Sequence, residues 1–222
     1  MLTLLARQVV HSFGEKDDRE WLLKRLPKHA VCAEIGVYQG RFSELILRLA
    51  RPRKLHLIDP WKYETDPTYE RSFYGGSKGQ SQARMDRMYE SVVKVFKSKR
   101  VEIHRGTSVE CSSQFPDNYF DWIYIDGNHL YEFVKQDLES WFPKMKSGGI
   151  VAGDDYGRDP KNWNKDGVRR AVDEAINTGL YQKIVIDKNQ FMLKKSCLPM
   201  VVGEESPEHA SLKLPSALDR VS

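Results

Sequence analysis

The stretch that decides the fold is AEIGVYQGRFSELILRLA, residues 33–50. A short apolar run enters a loop with glycine at positions 36 and 40, and the loop opens into a segment whose apolar residues recur at helical spacing. Glycine permits a tight turn and a close approach of the backbone to a ligand, and the first turn of a helix offers free N–H groups. The stretch therefore predicts a strand, a ligand-binding loop and a helix, in that order.

The alternation of apolar runs and helical segments continues along the chain. The predicted strands are residues 30–35, 54–59, 100–105, 120–126, 148–154, 183–187 and 190–195. The predicted helices between them are residues 43–50, 82–98, 130–145 and 167–177. Such alternation indicates parallel βαβ units with helices on both faces of the sheet. Only Lys188 and Asn189 separate the last two strands, so these two strands are expected to form an antiparallel hairpin.

Three segments lie outside this alternation. Residues 1–29 predict an N-terminal helical extension, with one helix in residues 1–13 and a second in residues 17–27. Residues 60–81 are rich in aromatic, charged and glycine residues, and a long connection at this edge of the sheet is expected to act as a lid. Residues 196–222 are expected to be an extended or disordered tail. Residues 30–195 then form the single folded domain.

The composition is that of an ordinary globular α/β protein of 222 residues, with 40% hydrophobic and 30% charged residues. The net charge of +4 is spread along the chain, so nucleic acid is not an expected partner. Three distant cysteines predict a cytoplasmic protein, and no run approaches the about 20 apolar residues of a membrane span. The apolar residues 1–13 favour a packed helix over a signal peptide, and they leave contact with a second subunit, a homo-oligomer, open.

The glycine loop indicates a nucleoside ligand without a diphosphate. Its sequence, G-V-Y-Q-G-R, lacks the middle glycine that makes room for the pyrophosphate of a dinucleotide, so NAD and FAD are disfavoured. Asp59 ends the second predicted strand, at the position where nucleotide-binding folds place an acid that binds ribose hydroxyls. The alternative is that Asp59 only terminates the strand.

Together these motifs resemble those of the class I S-adenosylmethionine-dependent methyltransferases. EIGVYQG (34–40) is similar to the first motif of that family, RGTSVE (105–110) to the segment beside adenine, and FDWIYIDG (120–127) to the fourth-strand motif. The resemblance implies a Rossmann-like seven-stranded sheet, mostly parallel with an antiparallel last strand, and S-adenosylmethionine as cofactor. The cofactor-binding residues it implies are Glu34, Gly36, Val37, Tyr38, Gly40, Asp59, Trp61, Thr107, Ser108 and Asp126.

Three carboxylates follow two strands that are expected to be neighbours. Asp126 ends the fourth strand, and Asp154 and Asp155 end the fifth, so the three meet at one edge of the sheet. They repel one another unless they are protonated or bridged by a cation, and Mg²⁺ prefers such oxygen ligands. The alternative is that they are solvated loop residues that cap helices. The spacing resembles that of the macrocin O-methyltransferase and cephalosporin-hydroxylase-like branch, which implies magnesium on Asp126, Asp154 and Asp155.

His129 is the candidate general base, because it follows Asp126 by three residues and its ordinary pKa lies near neutrality. Asp126 is assigned to the catalytic group with it. Alternatives are that His129 is a structural loop residue, or that it assists a metal that acidifies the substrate hydroxyl. Trp61 and the other aromatic residues of 60–81 form a wall over the ligand or pack in the core. No chemistry is assigned to the other histidines, which are His11, His29, His56, His104 and His209.

The expected activity is methyl transfer from S-adenosylmethionine to a hydroxyl of a sugar or another small molecule, with help from a divalent metal. A nucleic-acid or protein methyltransferase is an alternative, but neither an N-P-P-Y-type loop nor a dense basic face is visible. A non-catalytic or hydroxylase-like protein on the same scaffold also stays open, because a fold does not determine a function.

Overall fold

A computed structural model describes residues 19–157 and 166–196. The helix expected in residues 1–13 and the tail from residue 197 onward lie outside the described residues. The strands are β1 (Val31–Ile35), β2 (Lys54–Asp59), β3 (Val101–Arg105), β4 (Phe120–Ile125), β5 (Met145–Gly153), β6 (Tyr181–Asp187) and β7 (Gln190–Lys195). The helices are α1 (Glu20–Leu23), α2 (Arg41–Leu49), α3 (Gly76–Gly79), α4 (Gln82–Val95), α5 (Ser108–Ser112), α6 (Tyr131–Trp141) and α7 (Gly167–Asn177).

The seven strands form one sheet in the order β3-β2-β1-β4-β5-β7-β6. The first five strands in that order are parallel, and β7 runs antiparallel to both β5 and β6. This confirms the predicted α/β fold with a reversed last strand. Strand order changes direction between β1 and β4, and ligands of open α/β sheets bind beyond the carboxyl ends of the strands at such a point.

Helices cover both faces of the sheet, as predicted. On one face, apolar residues of α1, α2 and α4 pack with Leu55, Leu57 and Trp122 in one core cluster. On the other face, residues of α5, α6 and α7 pack with Ile35, Ile123 and Val151 in a second cluster. All five residues of β1 are buried, because this central strand has packed layers on both sides.

Several element boundaries differ from those that the periodicity predicts, by two or more residues. The helix predicted to run to residue 145 ends at Trp141, because Pro143 cannot continue a helix. β5 begins at Met145, three residues before the predicted start at 148. Met145 pairs with Phe120 of β4, and the register between the two strands shifts between Phe120 and Trp122. The second N-terminal helix is only the four residues of α1.

Among the described residues, no helix is long and apolar enough to cross a membrane.

The segment 60–81 is folded rather than irregular. It contains a single 3₁₀ turn at Pro67–Tyr69, the short helix α3 and a backbone bridge between Glu64 and Gly75. Its rings of Phe73 and Tyr74 pack on Tyr38 of the glycine loop, with centroids 5.2 and 5.9 Å away. The segment thus lies over the glycine loop, at the edge of the sheet where a lid was expected.

Candidate active site

One cavity of about 1300 Å³ opens beyond the carboxyl ends of β1, β2, β4 and β5. The glycine loop and the segment 60–81 form one side of it, and the loops after β4 and β5 form the other. The residues predicted from the sequence that line it are Glu34, Gly36, Val37, Tyr38, Asp59, Thr107, Ser108, Asp126, His129, Asp154 and Asp155. The fold therefore brings nearly all the predicted site residues to one place.

Two glycines shape the loop after β1 for different reasons. Gly36 has φ of +90°, and a Cβ there would lie 2.0 Å from the carbonyl oxygen of Asp126. Gly40 has φ of +77° at the N-cap of α2, and its Cβ would meet the ring of Phe96 at 2.5 Å. Gly36 thus allows the β1 loop to approach the β4 loop, whereas Gly40 turns the chain into the helix away from the cavity lining.

Glu34 is a buried acid at the cavity. Its side chain accepts a hydrogen bond of 2.5 Å from the Ser43 hydroxyl on α2. Burial raises the pKa of Glu34 to about 8, although the bond from Ser43 opposes that rise. An uncompensated buried carboxyl of this kind favours its neutral form, and a cationic ligand beside it would favour ionisation.

Asp59 has both carboxylate oxygens engaged. One accepts hydrogen bonds from the backbone N–H groups of Val37 and Tyr38, at 2.9 and 2.8 Å, and from the hydroxyl of Tyr74. The other accepts from the backbone N–H of Trp61 at 2.7 Å. Burial raises the pKa of Asp59, and these four donors act against it. In this arrangement Asp59 holds the glycine loop in place, and its ribose-binding role stays a prediction.

Trp61 lies behind the glycine loop instead of in the cavity wall. Its side chain is fully buried in the first core cluster, and its indole N–H donates to the carbonyl of Tyr38 at 2.8 Å. Trp61, like Gly40, therefore supports the glycine loop from the side of the protein core. The cofactor-binding role of Gly40 and Trp61 stays a prediction.

Thr107 and Ser108 begin α5 at the far side of the cavity. Thr107 is the N-cap, in a reciprocal capping box with Glu110. Ser108 accepts a hydrogen bond of 2.8 Å from the indole of Trp141, and it lies beside Asp137, whose pKa burial raises to about 7. Helix capping therefore explains Thr107 locally. Both residues lie in the cavity wall, and their place beside adenine stays a prediction.

The acids after β4 and β5 surround His129. Its Nε2 lies 3.4 Å from Asp126 Oδ1, and its Nδ1 lies 3.0 Å from Asp155 Oδ2. One ligand atom from each of the three residues falls within 4.8 Å of the others. Burial acts to lower the pKa of His129, but the hydrogen bond to Asp126 and the surrounding carboxylates outweigh it and raise the pKa.

The sequence analysis missed Arg19. Its Nη1 lies 2.9 Å from Asp126 Oδ2 and its Nε lies 3.9 Å from Asp154 Oδ2, and its guanidinium stacks over the Phe42 ring at 4.3 Å. A cation from the N-terminal extension therefore already sits between two of the predicted metal ligands. Burial, followed by the charge of Asp126, nevertheless raises the pKa of Asp154 to about 7. No local pattern around residue 19 signals this contact.

Gln190 was also missed. It begins β7, lines the cavity and is 1% exposed, and its Oε1 has no hydrogen-bond partner among the described residues. A buried amide oxygen without a partner is costly, and a ligand that donates a hydrogen bond would remove that cost. Its sequence context, QFMLKK, predicts a strand and gives no sign of a binding role.

This fold and cavity are those of the class I S-adenosylmethionine-dependent methyltransferases. Residues 33–156, more than half of the chain, match the model of a family described as a methyltransferase domain, and the chain belongs to that family. The match begins within β1, just ahead of the glycine loop, and ends just after the acids that follow β5.

Solved structures with related folds include a Corynebacterium glutamicum protein, with a TM-score of 0.56, 14% identity and coverage of 88% of this chain and 90% of that one. The O-methyltransferase NovP has a TM-score of 0.55 and 21% identity, over 80% of this chain and 79% of its own. A SAM-dependent methyltransferase from Aquifex aeolicus has a TM-score of 0.53 and 16% identity, over 80% of this chain and 88% of its own. These similarities support the fold.

One curated relative, the uncharacterized protein y4gI of Sinorhizobium fredii, is 36% identical over 47 residues. That stretch covers 21% of this chain and only 5% of the relative. The chain thus spans a small part of the length of that relative.

Proposed function

We propose that the protein transfers the methyl group of S-adenosylmethionine to a hydroxyl of a sugar or another small molecule. The observation that carries this proposal is that one cavity joins the glycine loop to a histidine held between two carboxylates. The first feature suits the cofactor, and the second suits deprotonation of an acceptor. Bound S-adenosylmethionine would supply an electrophilic methyl group.

The residues present fit that cofactor. Glu34 offers a buried carboxyl to a cationic ligand, and the loop at residues 36–40 leads into the N-terminus of α2. Thr107 and Ser108, the residues proposed to lie beside adenine, are in the wall of the same cavity. Asp59 holds the backbone of Val37 and Tyr38, so it fixes the loop whether or not it also meets ribose.

His129 is proposed to accept the proton of the acceptor hydroxyl. The proton goes to Nε2, whose 3.4 Å contact with Asp126 is the longer of the two and would give way to the acceptor hydroxyl. Asp155, 3.0 Å from Nδ1, orients the ring and stabilises the imidazolium that forms. The orphaned oxygen of Gln190 is available to accept a hydrogen bond from a second hydroxyl of the same acceptor. Both features favour an acceptor that carries several hydroxyls.

Magnesium at Asp126, Asp154 and Asp155 remains part of the proposal. Asp126 and Asp155 form a compact group with His129, whereas Asp154 is drawn toward Arg19. A metal here would acidify the acceptor hydroxyl, and Asp126 and Asp155 would be its nearest carboxylate ligands. Without a metal, the guanidinium of Arg19 offsets part of the negative charge of Asp126 and Asp154.

Calorimetric titration of S-adenosylmethionine into the protein, with and without magnesium, is the first test. We expect binding to the wild type and a loss of at least about tenfold in affinity for Glu34→Gln, with Glu44→Gln on the exposed side of α2 as the matched control. A separate magnesium heat that disappears in Asp155→Asn supports the metal. The absence of cofactor binding to the wild type overturns the proposal.

Turnover is tested by the formation of S-adenosylhomocysteine with a panel of hydroxylated acceptors. We expect His129→Gln to lower kcat by about 10² or more while cofactor affinity is kept. Binding without turnover on any acceptor contradicts the catalytic proposal and favours a binding protein on this fold.

A further inference from the structure

A second cluster of ligating side chains lies at the edge of the sheet, away from the cavity. β3 is the edge strand, and its pairing with β2 places Glu102 opposite His56. His104 is two residues beyond Glu102, so all three side chains emerge on the same face of the sheet. In the part of the chain that the structure describes, none of the three contributes to the wall of the cavity.

The three side chains converge on one point. His56 Nδ1 lies 3.0 Å from His104 Nε2 and 3.4 Å from Glu102 Oε2. One ligand atom from each of the three lies within 4.8 Å of the other two. Tetrahedral ligands at about 2.0–2.1 Å from a metal are roughly 3.4 Å from one another. The separation of His56 from Glu102 has that length, and the two imidazole nitrogens, at hydrogen-bond distance from each other, are slightly closer.

The surroundings orient these ligands. His56 Nε2 lies 3.2 Å from the Tyr119 hydroxyl, which suits a protonated Nε2 and leaves the Nδ1 lone pair toward the cluster. His104 also forms a hydrogen bond with the side chain of Gln114. Glu102 presents Oε1 to the Lys54 ammonium and Oε2 to His56, so one oxygen is available to a metal while the other stays paired.

We propose that His56, Glu102 and His104 bind a zinc ion that links the edge strand β3 to β2. Two imidazoles and one carboxylate form a donor set typical of zinc. His56 is 2% exposed and the Glu102 side chain is 50% exposed, so the cluster opens toward solvent on the Glu102 side, where water can complete the tetrahedron.

The protonation states agree with this assignment. Burial, followed by the influence of His104, lowers the pKa of His56 to about 4, and burial lowers the pKa of His104 as well. The hydrogen bond from Lys54 lowers the pKa of Glu102. These shifts favour the neutral imidazoles and the charged carboxylate, which are the forms that bind a metal.

The test is zinc binding to the full chain after treatment with a chelator, measured in competition with a chromophoric chelator. Glu102→Gln and His104→Asn remove one ligand each, and Glu90→Gln and His29→Asn at exposed positions are their matched controls. His129→Ala disables the other metal-capable cluster. His56 is left intact because its buried ring packs against Phe115 and Phe120.

We expect at least one zinc ion in the wild type and the two controls and one in His129→Ala. In the His129→Ala background, the affinity should be at least about tenfold lower with Glu102→Gln or His104→Asn. Thermal unfolding without zinc checks that each variant folds, and added zinc is expected to raise the Tm of the wild type but not that of the two ligand variants. Cobalt substitution gives a visible absorption band that the same two variants lose.

Two results overturn the proposal. One is the absence of stoichiometric zinc in the His129→Ala variant. The other is an unchanged zinc affinity in Glu102→Gln and His104→Asn. Neither result bears on methyl transfer, because this cluster lies outside the cavity.

Discussion

The hydroxyl of Tyr74 donates a hydrogen bond to the carboxylate of Asp59, the acid expected to bind ribose. The same carboxylate oxygen already accepts from the N–H groups of Val37 and Tyr38. Tyr74 comes from the segment 60–81, which lies over the glycine loop. A residue of the predicted lid therefore occupies the hydrogen-bonding position that a ribose hydroxyl would need.

The first prediction concerns this contact. Tyr74→Phe removes the competing donor and keeps the ring on Tyr38, so we expect S-adenosylmethionine to bind about two- to fivefold more tightly by calorimetry. Tyr63→Phe, in the same segment, is the control. Binding weakened tenfold would instead show that the Tyr74 hydroxyl supports the cofactor site.

The second prediction concerns Gly36. Gly36→Ala forces a Cβ against the Asp126 carbonyl at a φ of +90°, so we expect it to lower the free energy of unfolding by about 2 kcal/mol or more in urea denaturation. Gly179→Ala is the matched control, because Gly179 has φ of +77° with no atom within 4 Å of an added Cβ. Its cost should be about 1 kcal/mol, from the dihedral angle alone. Equal effects in the two variants would contradict the close approach of the loops.

The third prediction is a pH dependence from Glu34. Burial raises its pKa in the native state to about 8 from an ordinary 4.5, so between these values the native state retains a proton that the unfolded state has released. This group therefore makes the free energy of unfolding fall as the pH rises from 4.5 to 8.

Glu34→Gln should remove that fall. We expect the variant to exceed the wild type in free energy of unfolding by on the order of 3 kcal/mol at pH 8 and to show little of that gain near pH 4.5. Denaturant unfolding at both pH values measures it, and Glu90→Gln, at an exposed position of α4, serves as the control. A gain of the same size at both pH values would mean that ionisation of Glu34 is not its source.

The fourth prediction concerns Arg19. Arg19→Gln removes a positive charge beside Asp126 and Asp154, which makes the surroundings of His129 more negative. The pKa of His129 should rise further. Because a base acts only when it is deprotonated, the rising limb of the plot of kcat against pH should move to higher pH by about 0.5–1 unit. Arg48→Gln, which breaks only a surface pair with Glu20, should leave the limb in place. A limb that does not move would exclude His129 as the titrating base.

The fifth prediction concerns Gln190. Gln190→Met keeps the volume of the side chain but removes its orphaned oxygen, so we expect the KM of the hydroxylated acceptor to rise about five- to tenfold. The affinity for S-adenosylmethionine, measured by calorimetry, should stay within twofold. An unchanged KM would mean that this oxygen does not meet the acceptor.

The sequence by itself determined the strand, glycine loop and helix of residues 33–50, the alternation of elements and the antiparallel last hairpin. These follow from local periodicity and from the two-residue link at 188–189, and parallel strands bring their carboxyl ends to one edge. That reasoning was enough to gather Glu34, Asp59, Asp126, His129 and Asp155 around one cavity.

Only the tertiary structure decided which side chains contact one another across long stretches of the chain. Arg19 meets Asp126 across 107 residues, Tyr74 reaches Asp59 through the path of a long connection, and His56 meets His104 through the register of β2 and β3. Such contacts depend on strand order, register and loop path, which short-range periodicity does not encode. The balance of charge around His129 and the cluster at the sheet edge are therefore properties of the folded chain.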